Sequence, residues 1–374
     1  MDVAVLRAMV RVCAVVGLVL VLSAPPAVAS PGAAARPTTV PSWRFTPTAT
    51  ANTLIAVDVV DRSVVWGAGG GFQNAAGAVV RTVDGGRSWQ DVTPPGGGAE
   101  EIRDVEAFDR HHALVLVLRN DITGEPSRIY RTADGGATWQ SVFRADPVDF
   151  FDCMAFFDHR RGLAVGDAVD GKFPVLATVD GGRTWHPTPA NGMPGTVSGE
   201  GALATGTCLV TKGRHDAWFG TTGIRGPTSR NPQVFHTRDG GTTWTVTDTP
   251  IPGATASITS LSFRDRRHGL ATGGNFNPSQ NLDLGVAART PDGGASWALG
   301  AAPAGFRNSV AWIPGHKDTA IAVGPNGSDI STDGGRAWTP FDNTLLMGIN
   351  CSSHGDCWAV GKDGLAARLV LRRA

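Results

Sequence analysis

An all-β fold is predicted, a seven-bladed β-propeller with four strands to a blade, and three observations carry the prediction. A turn motif of hydroxyl, Asp, Gly-Gly and Trp recurs six times along the chain. Seven apolar runs of strand length recur at matching intervals. Glycine (49) and proline (24) are abundant, and no apolar stripe at helical spacing follows the N-terminus, which suits many short strands joined by turns.

The motif is complete in Thr82-Val83-Asp84-Gly85-Gly86-Arg87-Ser88-Trp89. Copies run from Thr132 to Trp139, Thr178 to Trp185, Thr237 to Trp244, Thr290 to Trp297 and Ser331 to Trp338. Between them each unit has the same order: an apolar strand, a turn, a second strand usually ending in Gly, a variable loop, a third strand, the Asp-Gly-Gly turn, and a fourth strand that starts with Trp. Second strands are read at Val64–Gly67, Leu114–Leu116, Leu163–Gly166, Ala217–Gly220, Leu270–Gly273, Ile321–Gly324 and Trp358–Gly361. Four strands to a unit is the pattern of a propeller blade.

The N-terminal segment reads differently. Arg7 and Arg11 precede an apolar run from Val12 to Leu22, and Ala27-Val28-Ala29 offers small residues for cleavage, so residues 1–29 are expected to be a secretory signal. The apolar run is shorter than the roughly 20 residues of a bilayer span, and no second run of that length follows, so no membrane span is expected after cleavage. Residues 30–40 are small and Pro-containing and read as a flexible lead-in, leaving 41–374 for the propeller. Ser42-Trp43-Arg44-Phe45 resembles the strand after each motif but has no turn before it, whereas the last unit, from Leu345, lacks a turn and ends after its third strand. The N-terminal strand is therefore expected to complete the last blade, which leaves no open edge at the closure.

In the repeated turn the Asp can accept backbone amides, the glycines supply angles costly for other residues, and the Trp buries a large ring. Six near-identical copies at the periphery cannot converge on one catalytic centre, so Asp84, Asp134, Asp180, Asp239, Asp292 and Asp333, with Trp89, Trp139, Trp185, Trp244, Trp297 and Trp338, are assigned to folding. The motif resembles the Asp-box, or BNR, repeat of sialidases and many other propellers. That resemblance implies a turn between third and fourth strands on the face opposite the ligand site.

Formal charge is zero, and removal of residues 1–29, which hold Asp2, Arg7 and Arg11, leaves the remainder one unit negative. With acidic and basic residues interspersed, there is no stripe for neutralising nucleic-acid phosphates. Loss of Cys13 leaves Cys153, Cys208, Cys351 and Cys357. An even number permits two disulfides in an oxidising compartment. Cys351 and Cys357 flank a turn-rich loop and are the preferred pair; Cys153 and Cys208 are either a second bridge or free. No metal or cofactor is expected, since no CxxC pair, HExxH, GxSxG or phosphate loop is present, and Gly67-Ala68-Gly69-Gly70-Gly71-Phe72 fails as a dinucleotide fingerprint. An oxidoreductase would need a cofactor with no visible site.

Sialidase chemistry needs a Tyr nucleophile, and the only tyrosine, Tyr130, stands directly before a turn at the wrong end of its strand. A two-carboxylate glycoside hydrolase remains the enzymatic alternative, with Asp152 and Glu200, or Asp167 and Asp170, as its acids. The face opposite the turns carries the starts of innermost strands and the loops between second and third strands. Its candidates at strand starts are Arg103, Asp104, Asp152, Glu200 and Arg307. Its loop candidates include Asn120, Asp121, Asp167, Asp170, Lys172, Arg225, Arg230, Asn275, Asn277 and Asp283, with long loops at 220–232 and 273–284.

The runs Phe156-Phe157-Asp158-His159-Arg160-Arg161-Gly162-Leu163 and Phe263-Arg264-Asp265-Arg266-Arg267-His268-Gly269-Leu270, each followed by the turn, are similar to soluble propellers related to the photosystem II assembly and stability factor. This resemblance implies a non-catalytic, partner-binding role. The expected function is therefore an exported, monomeric scaffold that binds a protein or a glycan through its loop-rich face.

Overall fold

The structure, a computed structural model, describes residues 39–70, 77–95, 101–118, 125–147, 149–196, 200–202, 207–223, 230–252, 256–275 and 285–373. The expected signal segment, and Asn120, Asp121, Arg225, Asn277 and Asp283, lie outside these residues. Seven four-stranded antiparallel sheets stand around an axis, six of them built from consecutive strands. Their innermost strands are Leu54–Val59, Ile102–Ala107, Phe151–Phe156, Leu209–Lys212, Ser257–Phe263, Ser309–Trp312 and Leu346–Cys351, which number blades 1 to 7. Among the described residues the only helical pieces are two single 3-10 turns, Ala190–Gly192 and Lys362–Gly364.

The hydrophobic core is divided by the ring. Each cluster of buried apolar side chains spans one seam between neighbouring blades rather than the centre of the molecule. This explains why the second strands are continuous apolar runs: both faces of a blade's inner half are covered, as in any sheet packed on two sides. In Ala113–Val117, Ala113, Val115 and Val117 face blade 1, and Leu114 and Leu116 face blade 3. The fourth strands form the outer edge, and they are short and exposed, as at Gln90–Asp91 and Ala298–Leu299.

The last blade is a composite. Its third strand, Leu365–Arg373, pairs antiparallel with Thr39–Pro47 from Thr39↔Arg373 to Pro47↔Leu365. Trp43 anchors this strand to blade 6, donating from Nε1 to Ser328 Oγ at 3.0 Å and packing on Phe341 at 5.8 Å. The lead-in expected over 30–40 therefore gives up its last two residues, because Thr39 and Val40 find backbone partners in Arg373 and Arg372. Two disulfides are present. Cys153–Cys208 crosses the seam between blades 3 and 4, and Cys351–Cys357 brackets the inner hairpin of blade 7.

Candidate functional site

The Asp-Gly-Gly turns define one face of the ring. In blade 1 the Asp84 carboxylate accepts the Ser88 amide at 2.9 Å and the Ser88 hydroxyl at 2.6 Å, and the Thr82 hydroxyl at 2.9 Å. Gly85 then donates to Ser63 O at 3.0 Å, fastening the turn to the inner hairpin of its own blade. The same amide bond recurs at Gly135, Gly181, Gly240, Gly293 and Gly334. The Ser88 hydroxyl and amide hold Asp84 down at about 2, and Thr138 does the same for Asp134. These carboxylates are permanently charged and committed to the turn.

On the opposite face, two of the expected residues emerge at irregularities in the innermost strands. The pairing of Ile102–Ala107 skips Arg103, and that of Phe151–Phe156 skips Asp152. A bulge of this kind turns a side chain out of the alternation of its strand. Arg103 pairs with Glu101, and Asp152 shares a hydrogen bond with Asp167 while feeling the Arg103 charge. Burial, and then the Asp167 carboxyl beside it, holds Asp152 well above the usual carboxylate range, against the pull of Arg103. Burial also raises Glu101, which Arg103 opposes. Asp152 is only 2% exposed, and its Oδ2 is buried without a hydrogen-bond partner.

Asp104 is a correction. It was expected to face a ligand, but its carboxylate is buried and accepts the Met154 amide of blade 3 and its neighbour Val105, each at 2.8 Å. It is a staple between innermost strands, as is Asp58, whose Oδ2 accepts the Ala107 amide at 2.7 Å. Burial raises Asp58 to about 6, and burial with the mutual repulsion of the three acids raises Asp104 and Glu106 well above their ordinary range.

Glu200 is a second correction. It does not start the innermost strand of blade 4, which begins at Leu209, but lies in the long connection leading to it. There it is fully buried and saturated: Oε1 accepts the Thr221 hydroxyl at 2.6 Å, and Oε2 is held by Arg230 and Thr196. Its own backbone carbonyl accepts the Ala168 amide, while Asp167 Oδ1 accepts the Ala202 amide at 2.9 Å. Lys172 donates to Met193 O, and Thr196 donates to Gly171 O at 2.8 Å. The loop face over blades 3 and 4 is thus a hydrogen-bonded platform, with Asp170 exposed at the tip of a turn at φ 50°.

Arg307 is buried entirely, with Nε 2.5 Å from Asp329 Oδ2 and Nη1 on Phe306 O at 3.0 Å. Asp329 and Glu101 were absent from the sequence-based candidates. The signal for Asp329 was present: an acid within Gly327–Ser331, a strand buried along its whole length, requires a buried cation. Asn275, also buried, ends the second strand of blade 5. Among the described residues no group of three His, Cys, Asp or Glu is placed to hold a metal ion.

The loop face therefore brings together Arg103, Asp152 and Asp167, and separately Glu200 with Arg230, while Asp104 and Arg307 are interior. A carboxyl pair in direct hydrogen-bond contact is closer than the roughly 5 Å or more between the two acids of a glycoside hydrolase. No family model matches the sequence, and no curated protein does. Among solved structures the chain is similar to YCF48 bound to a D1 peptide, with a TM-score of 0.59 and 17% identity, covering 88% of this chain and 96% of that one. The likeness is one of fold. YCF48 from Cyanidioschyzon merolae gives a TM-score of 0.59 and 16% identity over 87% and 98% of the two chains. The GH74 xyloglucanase from Xanthomonas campestris gives 0.58 and 13% over 87% of this chain and 53% of that one.

Proposed function

We propose that the chain is exported and acts as a non-catalytic scaffold that holds a protein partner on its loop face. The observation that carries this reading is the condition of the acids there. Asp152 and Glu200, the residues a two-carboxylate mechanism would use, are 2% and 0% exposed and are committed to Asp167 and to Arg230 with its neighbouring hydroxyls. An acid that cannot reach a substrate cannot transfer a proton to it. What they accomplish is rigidity, and a rigid platform binds with less ordering cost. A propeller of the same fold, YCF48, has been solved with a D1 peptide bound, which supports a protein partner over a glycan.

The test is a site-specific photo-crosslinker placed at Asp170, with a control at Arg87 on the turn face. A defined protein crosslinked from Asp170 and not from Arg87 is expected. Equal capture at both positions refutes the assignment of the face. Glycan hydrolysis that is abolished by Asp152→Asn would establish the hydrolase instead, and an uncleaved N-terminus recovered only from the cytoplasm would refute export.

A further inference from the structure

A cavity of about 600 Å³ opens on the turn face, where the innermost strands of blades 4, 5, 6 and 7 end. Its volume lies within the range of small-molecule sites, and it is on the face from which the repeated turn directs attention away. Apolar side chains from all four strands line it, Val210, Leu261, Val310 and Ile349, with the indole of Trp312 as a wall. Thr207, also in the lining, is tied to the hydroxyls of Ser260 at 2.8 Å and Ser309 at 3.2 Å.

The charges are one-sided. Lys212, Arg264, Lys317, His268 and His316 stand against a single acid, Asp265. Asp265 is occupied by His268 Nδ1 at 2.9 Å and by Arg264 Nε at 3.4 Å. Arg264 is occupied in turn, 2.8 Å from Asp318 and 5.0 Å over the Trp312 ring. That leaves Lys212, which is half-buried and for which no hydrogen bond or ion pair is present, with the exposed Lys317 at the rim. Burial lowers the Lys212 ammonium from its ordinary range while Asp265 raises it. A half-buried ammonium beside apolar walls is stabilised by an anion that brings its own apolar surface.

We propose that this cavity binds a small monocarboxylic acid with an aliphatic or aromatic body, its carboxylate on Lys212 and its apolar part against Trp312, Val310 and Ile349. One half-buried point charge matches a monoanion, whereas a phosphate dianion would need a set of donors that these walls do not supply.

Calorimetric titration of the full chain with octanoate and with 3-phenylpropanoate, each beside its primary amide, tests this. Saturable one-to-one binding of an acid is expected, about tenfold weaker or worse for the amide, and lost by about tenfold or more in Lys212→Gln, the effect of removing one charge-assisted hydrogen bond. No saturable binding of either acid, equal binding of acid and amide, or full affinity in a folded Lys212→Gln would each overturn the proposal. If Lys212→Gln does not fold, the acid–amide comparison on the unaltered chain decides, together with ligand-to-indole NOEs that Trp312→Phe must remove.

Discussion

Asp84 and Asp58 belong to the same blade and titrate in opposite directions. Asp84 is held at about 2 by the Ser88 hydroxyl and amide, below the roughly 3.9 of an unfolded chain. A depressed acid contributes stability that is present above the unfolded value and lost as pH falls through about 2. Asp134 adds to the same limb. Asp58, on an innermost strand, is raised to about 6 by burial, and there the sign reverses. Between the unfolded value and about 6 the folded chain binds the extra proton, so stability falls as pH rises through that window. The expected outcome is a melting temperature that peaks in the weakly acidic range and declines on either side. Asp58→Asn keeps an acceptor for the Ala107 amide and should flatten the decline between about pH 5 and 7 while leaving the acid limb intact. Melts from pH 2 to 8 on both proteins check this, and an unchanged neutral slope in the variant would exclude Asp58 as its source.

At the scale of the element, the Asp-Gly-Gly turn is more than a local reversal, because its second glycine touches the preceding blade. Gly86 has φ 80°, and a Cβ there would lie 2.4 Å from Trp358 Cη2 of blade 7. The same position meets Val92 at Gly136, Leu114 at Gly182 and Leu270 at Gly335, each closer than real Cβ contacts allow. The first glycine bonds the turn to its own blade, and the second presses it onto the neighbour, so the motif repeats because the seam repeats. Gly86→Ala must accept a left-handed backbone and displace an indole, a cost of about 2 to 4 kcal/mol. Gly195→Ala, with nothing within 4 Å of its Cβ, should stay within about 0.5 kcal/mol. Urea unfolding of the two variants separates the effects, and equal midpoints would mean that the turn does not transmit packing between blades.

Over the whole molecule, what repeats was legible and what occurs once was not. The seven second strands and the orphan Trp43 strand could be placed because each blade solves the same seam problem with the same residue pattern. The Arg103 and Asp152 bulges, the Glu200–Arg230 contact and the four-strand cavity depend on how distant segments meet, and no local pattern encodes that. Closure is the feature on which sequence and structure bear most directly. Blade 7 differs from the others only in that its third and fourth strands are the two ends of the chain, paired as far as Thr39↔Arg373. Deleting residues 39–47 exposes the edge of Leu365–Arg373 and uncovers the seam to blade 6 that Trp43 fills, so the entire ring should lose stability. That loss alone would not distinguish closure from simple removal of buried surface. A circular permutant does: joining Arg373 to Thr39 through Asn-Gly, the two-residue hairpin turn that fits directly paired strand ends, and opening the chain between Thr48 and Ala49 keeps every pairing and makes blade 7 continuous. Its melting temperature should equal or exceed that of the parent while the deletion falls well below both. A permutant that fails to fold, or a deletion that melts like the parent, would show that the terminal strand is not what closes the ring.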